Sequence, residues 1–280
     1  MTNIFPPFDP DDSPRRRRVH QLRSIPVRSI VPNLVTLLAL CAGLTSIRMS
    51  IELRFDAAFA AIFIAAFLDG IDGRVARFLK STSRFGAELD SLTDFLNFGV
   101  APAILLYVWA LDEIRSLGWI AAIIFAICGA LRLARFNVAL DDPNRPEWQA
   151  NYFVGIPAPA GAMIVLLPFY LEQVGVPHGL LTAPLVLVYT IAIGLLMISK
   201  FPTWSGKLVG RRIPRESVLP FFVLVVVYVA LLLSFPFETL AICTLIYLAL
   251  LPISWSTFHR RLAGAPPSNG EADIETPKEP

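Results

Sequence analysis

The sequence predicts an all-α polytopic membrane protein with about eight transmembrane helices, and three observations predict it. Hydrophobic residues make up 55% of the 280 and charged residues only 16%; with a mean hydropathy of +0.61 this is too apolar for an ordinary soluble domain of such length. Apolar runs of roughly twenty residues, the length a bilayer crossing needs, recur along the chain between short polar turns. The cations fall almost entirely on one side of those crossings.

Residues 1–29 combine prolines, acids and the basic run Arg15 to Arg18, a composition that cannot bury a core. They are expected to form a disordered cytoplasmic tail whose basic run lies against anionic lipid. A secretory signal is disfavoured, because the apolar run that follows is long and shows no small-residue cleavage site. Eight crossings are then expected: Ile30 to Met49, Phe55 to Phe78, Phe85 to Trp109, Leu117 to Val138, Pro157 to Val174, Leu180 to Ser199, Val218 to Phe235 and Thr239 to Ser256. Pro236 and its neighbours alone separate the last two, which makes them a tight hairpin. Together residues 30–258 form one transmembrane domain, and the proline-rich, acidic residues 259–280 are expected to be a second disordered cytoplasmic tail.

Eight crossings put both termini on one side, and the cations test that arrangement. The terminal side carries six Lys or Arg before the first span, four at the second turn, three near the fourth span, five before the seventh and three at the end. The opposite side has Arg48, Arg54 and Arg115. The excess makes the terminal side cytoplasmic, in an inner (cytoplasmic) membrane. A net charge of +2 exerts no bulk pull on nucleic acid, so the lipid bilayer and no nucleic acid is the expected macroscopic partner.

Four carboxylates interrupt this apolar pattern in the run DGIDGRVARFLKSTSRFGAELDSLTD, from Asp69 to Asp94. Asp69 and Asp72 are three apart, and Gly86, Asp90 and Asp94 follow at intervals of four, so each set lies along one helix face. The polar turn between Phe78 and Phe85 makes the two helices antiparallel. Counting outward from Thr82, Asp72 and Asp90 lie at similar depth, as do Asp69 and Asp94, so all four acids share one pocket at the cytoplasmic face. Ionised carboxylates at membrane depth cost several kcal/mol unless compensated. With only Arg74 and Arg77 close by, the economical compensation is a hard, oxygen-liganded divalent ion such as Mg²⁺ or Mn²⁺. Two other readings compete: a salt-bridge cluster joining the helices, and a cation or proton path. Ala57, Ala61, Ala65, Asp69, Gly73 and Arg77 form one row, so the acidic face continues a small-residue stripe that permits close helix approach. Gly73 leaves room for a ligand.

Asp69, Asp72, Gly73, Ala76, Arg77, Gly86, Asp90 and Asp94 match at every spacing D-x2-D-G-x2-A-R-x8-G-x3-D-x3-D, and in this the chain resembles the CDP-alcohol phosphotransferase family. The resemblance implies a membrane enzyme with a six-helix core, here followed by two further C-terminal helices. It implies two divalent metal ions, Mg²⁺ or Mn²⁺, held by Asp69, Asp72, Asp90 and Asp94. It further implies Asp94 as the general base on the acceptor hydroxyl, and a CDP-linked donor near Asn33, Asp69, Gly73, Arg77 and Gly86. From the residues alone, Asn33 after Pro32 reads equally as a helix cap. A homodimer follows from the resemblance alone.

The fourth span ends GALRLARFNVALDD, placing Arg132 and Arg135 three apart with Asn137 close behind. Such arginines are either snorkelling anchors or a fork of donors for an anionic acceptor. With YFVGIPAPAGA, this wording resembles the bacterial phosphatidylserine synthase branch, which implies CDP-diacylglycerol as donor and L-serine as acceptor. Glycerol 3-phosphate would suit the same arginines, so a phosphatidylglycerophosphate synthase stays open, as does a transporter. The basic stretch Lys200 to Glu216, with Lys207, Arg211, Arg212, Arg215 and Trp204, reads as an interface anchor. Cys41, Cys128 and Cys243 are scattered in apolar runs and suggest neither disulfide nor zinc, and His20, His178 and His259 receive no role.

Overall fold

A computed structural model describes residues 27–79, 81, 83–140, 152–177, 179, 182–199, 202–204 and 215–263. The tail readings therefore lie mostly outside the described residues, as do the loop 141–151 and Lys207, Arg211 and Arg212. Each expected crossing is helical. They are α1 (Val27–Ile51), α2 (Phe55–Phe78), α3 (Arg84–Asp94) continued through a π-helical turn (Phe95–Val100) into α4 (Ala101–Trp109), and α5 (Ser116–Leu140). Then come α6 (Ala158–Val165), α7 (Leu167–Gln173), α8 (Ala183–Ile198), α9 (Arg215–Ser234) and α10 (Pro236–Ala263).

Among the described residues, Ile30–Ile51, Arg84–Trp109 and Ser116–Ala139 are long and apolar enough to cross a membrane unaided. The other crossings fall short for local reasons. Asp69, Asp72, Arg74 and Arg77 load the last turns of α2 with charge, and Ala183–Ile198, Val218–Ser234 and Pro236–Pro252 are apolar but shorter. The bundle supplies what length does not: Phe98, Leu105, Phe125, Phe169 and Tyr170 are fully buried at its centre. Exposed Leu, Val, Ile and Phe side chains ring its outside, a surface that only hydrocarbon solvates well. On α9 every side chain from Val218 to Leu231 is exposed, and α9 packs chiefly on α10, joined through Phe235 as the expected hairpin.

Three features depart from the sequence reading. The fifth crossing is two helices, because Pro168 has no amide to give the carbonyl of Ile164 and the helix breaks at Leu166. That carbonyl instead accepts the Tyr189 hydroxyl from α8 at 2.7 Å. Secondly, α1 starts at Val27, so Asn33 lies inside the helix and the cap reading is wrong. Thirdly, the helical bundle carries a small antiparallel ribbon, β1 (Tyr152–Val154) with β2 (Pro202–Trp204), in the register Tyr152↔Trp204. Three-residue strands are too short to leave an alternating pattern in a sequence.

The ribbon is closed by Gly155, whose φ of +80° is one that side chains rarely adopt. A Cβ there would fall 2.4 Å from the Met197 carbonyl oxygen and 2.9 Å from that of Ser199. Gly155→Ala is therefore expected to destabilise the protein by about 1–3 kcal/mol, read as a lowered thermal midpoint in detergent. An unchanged midpoint would show that the ribbon can relax.

Candidate active site

The pocket lies where α1, α2 and α3 meet. The polar turn ends at Ser83, whose Oγ accepts the Gly86 amide at 3.0 Å and starts α3 as an N-cap. From this turn α3 packs on α1, and its continuation through the π-helical turn and α4 packs on α2. Asp69, Asp72 and Asp90 then converge, each offering a carboxylate oxygen within 4.8 Å of the others. Beside them opens a cavity of about 190 Å³, lined by Asn33 and Thr36 of α1, Asp72, Gly73 and Ala76 of α2, and Gly86 and Asp90 of α3 among others.

Of the four acids expected to share one pocket, Asp69, Asp72 and Asp90 converge, and Asp94 is not among those three. Asp94 lies one turn further in than Asp90, and its Oδ1 is buried without a hydrogen-bond partner. Directly after it the helix widens into the π-helical turn, a feature common at functional sites and invisible to a 3.6-residue reading.

Two glycines shape the cavity in opposite ways. A Cβ at Gly73 would meet nothing within 4 Å, so the open space there is real room beside Asp72. At Gly86 it would stand 2.9 Å from Asn33 Oδ1, so a side chain would push Asn33 off the pocket wall. Asn33 and Gly86 thus form one contact across the opening.

Arg77 does not neutralise the acids. It is exposed, its Nε donates to the Gly73 carbonyl of its own helix at 3.1 Å, and the described residues contain one ion pair, Arg48 with Glu52. Three converging carboxylate oxygens without a paired Lys or Arg make a donor set that suits a hard divalent cation.

The arginines of α5 divide. Arg132 is buried, its Nε donates to the Ile156 carbonyl, its guanidinium stands 5.9 Å from the Phe136 ring centroid, and Asp94 is an electrostatic neighbour. Arg135 is exposed and its Nη1 donates to the Ile198 carbonyl at the far end of α8. Asn137 Nδ2 donates to Ser91 Oγ at 2.9 Å, tying α5 to α3. The two guanidinium groups are thus committed to different segments.

The sequence reading passed over two residues. Thr36, one turn after Asn33, donates its hydroxyl to Asp72 Oδ2 at 2.8 Å; the available signal was a polar residue at helical spacing inside an apolar run. Tyr247 of α10, half-buried against the core of the bundle, is the other electrostatic neighbour of Arg132. No periodicity in the sequence could have placed it there.

These features define a class: a membrane-embedded helical protein with a cluster of carboxylates that could hold a cation beside a pocket near one end of the bundle. The chain belongs to the CDP-alcohol phosphatidyltransferase family, whose model matches residues 29–260. It is 40% identical over 243 residues to the CDP-diacylglycerol–serine O-phosphatidyltransferase of Mycobacterium leprae, covering 86% of this chain and 77% of that protein. It is 34% identical over 229 residues to the protein of that name from Helicobacter pylori, covering 81% and 91%. With the one from Mycobacterium tuberculosis it shares 48% over 153 residues, 55% of this chain and about half (51%) of that protein.

Proposed function

We propose that this chain transfers the phosphatidyl group of CDP-diacylglycerol to the hydroxyl of L-serine, giving phosphatidylserine and CMP, as a step of phospholipid biosynthesis. The observation that carries the reading is the convergence of Asp69, Asp72 and Asp90 beside a cavity walled by Asn33, Gly73 and Gly86, in a chain whose relatives bear that activity in their names. Residues 30–258 are the catalytic domain, and it functions in the inner (cytoplasmic) membrane. The uneven distribution of Lys and Arg supports a site and both termini facing the cytoplasm.

Two divalent ions, Mg²⁺ or Mn²⁺, held by Asp69, Asp72, Asp90 and Asp94, would supply the positive charge that neutralises a diphosphate and favours departure of CMP. The chain's own residues do the rest. Asn33 presents an amide to the cytidine, Gly73 and Gly86 admit the nucleotide, and Arg77, at the rim, meets a phosphate. Asp94 takes the proton of the serine hydroxyl as its oxygen bonds to the phosphorus that carries the lipid, and the bond from that phosphorus to the CMP oxygen breaks. The buried, unpartnered Oδ1 of Asp94 supports this role. Arg132 pairs with the serine carboxylate, with Arg135 and Asn137 holding the surrounding segments.

Membranes bearing the chain, given labelled serine, CDP-diacylglycerol and Mn²⁺, should yield labelled lipid and stoichiometric CMP. Product with glycerol 3-phosphate in place of serine would move the acceptor assignment and leave the family chemistry standing. No product with either would overturn the reading in favour of a transporter.

A further inference from the structure

Asp72 is the most buried of the four motif acids, 4% exposed, and among the described residues no cation is paired with it. A side-chain hydrogen bond reaches it from another helix: Thr36 Oγ1 of α1 donates to Oδ2 at 2.8 Å. The same hydroxyl stands 3.2 Å from the Pro32 carbonyl, one turn back on α1. A carbonyl and an ionised carboxylate both only accept, so the single hydroxyl proton is directed towards the shorter, charged contact. Thr36 is itself 5% exposed, so water cannot replace it cheaply.

We propose that Thr36 is a positioning residue for the cation site: by tying Oδ2 to α1 it fixes the plane of the Asp72 carboxylate, so that the group is preset to act with Asp69 and Asp90. The inference rests on the reading of Asp69, Asp72 and Asp90 as metal ligands. It extends that reading to α1, which carries no motif acid. Asn33, one turn earlier, lines the same cavity, so one face of α1 supplies both a wall for the nucleotide and a brace for the metal ligand. The brace is not needed to hold the helices together, because α1 packs along α2 more extensively than any other pair of elements does. A ligand carboxylate held by an outer hydrogen bond typically loses about 10–100-fold in metal affinity when that bond is removed.

The test is Mn²⁺ binding to the purified full chain in detergent, read by electron paramagnetic resonance without substrate. Thr36→Val keeps the side-chain shape and is expected to weaken binding by about 10–100-fold, while Thr36→Ser stays close to the unsubstituted protein. In turnover assays the Mn²⁺ concentration for half activation should rise with the KM for serine unchanged. In an Asp72→Asn background, Thr36→Val should cost nothing further, because it acts only through that carboxylate. Unaltered Mn²⁺ binding by Thr36→Val, or equal weakening by Thr36→Ser, overturns the proposal and leaves the metal site intact. Failure of the unsubstituted chain to bind Mn²⁺ overturns both. Should Thr36→Val not survive purification, Thr36→Ala is judged by the same criteria, and loss of both assigns the contact to folding and overturns the proposal.

Discussion

Asp94→Asn is expected to lower phosphatidyl transfer by about 10²–10⁴-fold, the range that removal of a general base produces. Asparagine keeps the shape of the side chain but cannot accept a proton at the acceptor hydroxyl. Asp94 lies one turn beyond the Asp69, Asp72 and Asp90 cluster, so the same substitution should disturb Mn²⁺ binding less than Asp69→Asn does. The comparison separates two roles that a turnover measurement alone would merge. Labelled-serine turnover and Mn²⁺ titration of both variants check it, and normal turnover by Asp94→Asn would remove the base assignment.

Chelation should have the other large effect. Treating the purified chain with EDTA is expected to stop transfer by at least about a thousandfold, since a bound cation contributes several kcal/mol of charge stabilisation and each 1.36 kcal/mol is tenfold in rate. Mg²⁺ or Mn²⁺, and not K⁺, should restore it. The physical reason lies in the site: three carboxylate oxygens within 4.8 Å of one another repel, and no Lys or Arg among the described residues offsets them. Full activity after exhaustive chelation would show that the acids serve the protein in some other way.

Much of the site is legible in the sequence. The spacing of Asp69, Asp72 and Asp90 about a short turn was enough to foresee that they would converge, because antiparallel helices of fixed rise convert distance along the chain into depth in the bilayer. Gly73 and Gly86 were legible for the same reason. Arg132 and Arg135 were not separable, since three residues apart on a helix suggests a common face, and only the neighbouring carbonyls of Ile156 and Ile198 draw them to different segments. Thr36 was overlooked because a threonine in an apolar span has an ordinary use, bonding its own helix; its contact with Asp72 joins residues 36 apart in the chain.

The sequence by itself determined that the chain is an all-α membrane protein and that Asp69, Asp72 and Asp90 converge. These follow from hydropathy, length and helical repeat, all of them local properties of a chain whose backbone must satisfy its own hydrogen bonds in lipid. Tertiary structure alone decided the rest: the ribbon of β1 and β2, the separate carbonyl partners of Arg132 and Arg135, and the contact of Thr36 with Asp72. Each depends on a partner supplied by a distant segment, and in a bilayer the apolar exteriors of all helices are alike. Which helix lies against which is therefore settled by close packing and buried polar contacts between segments, and these are written in no single stretch of sequence.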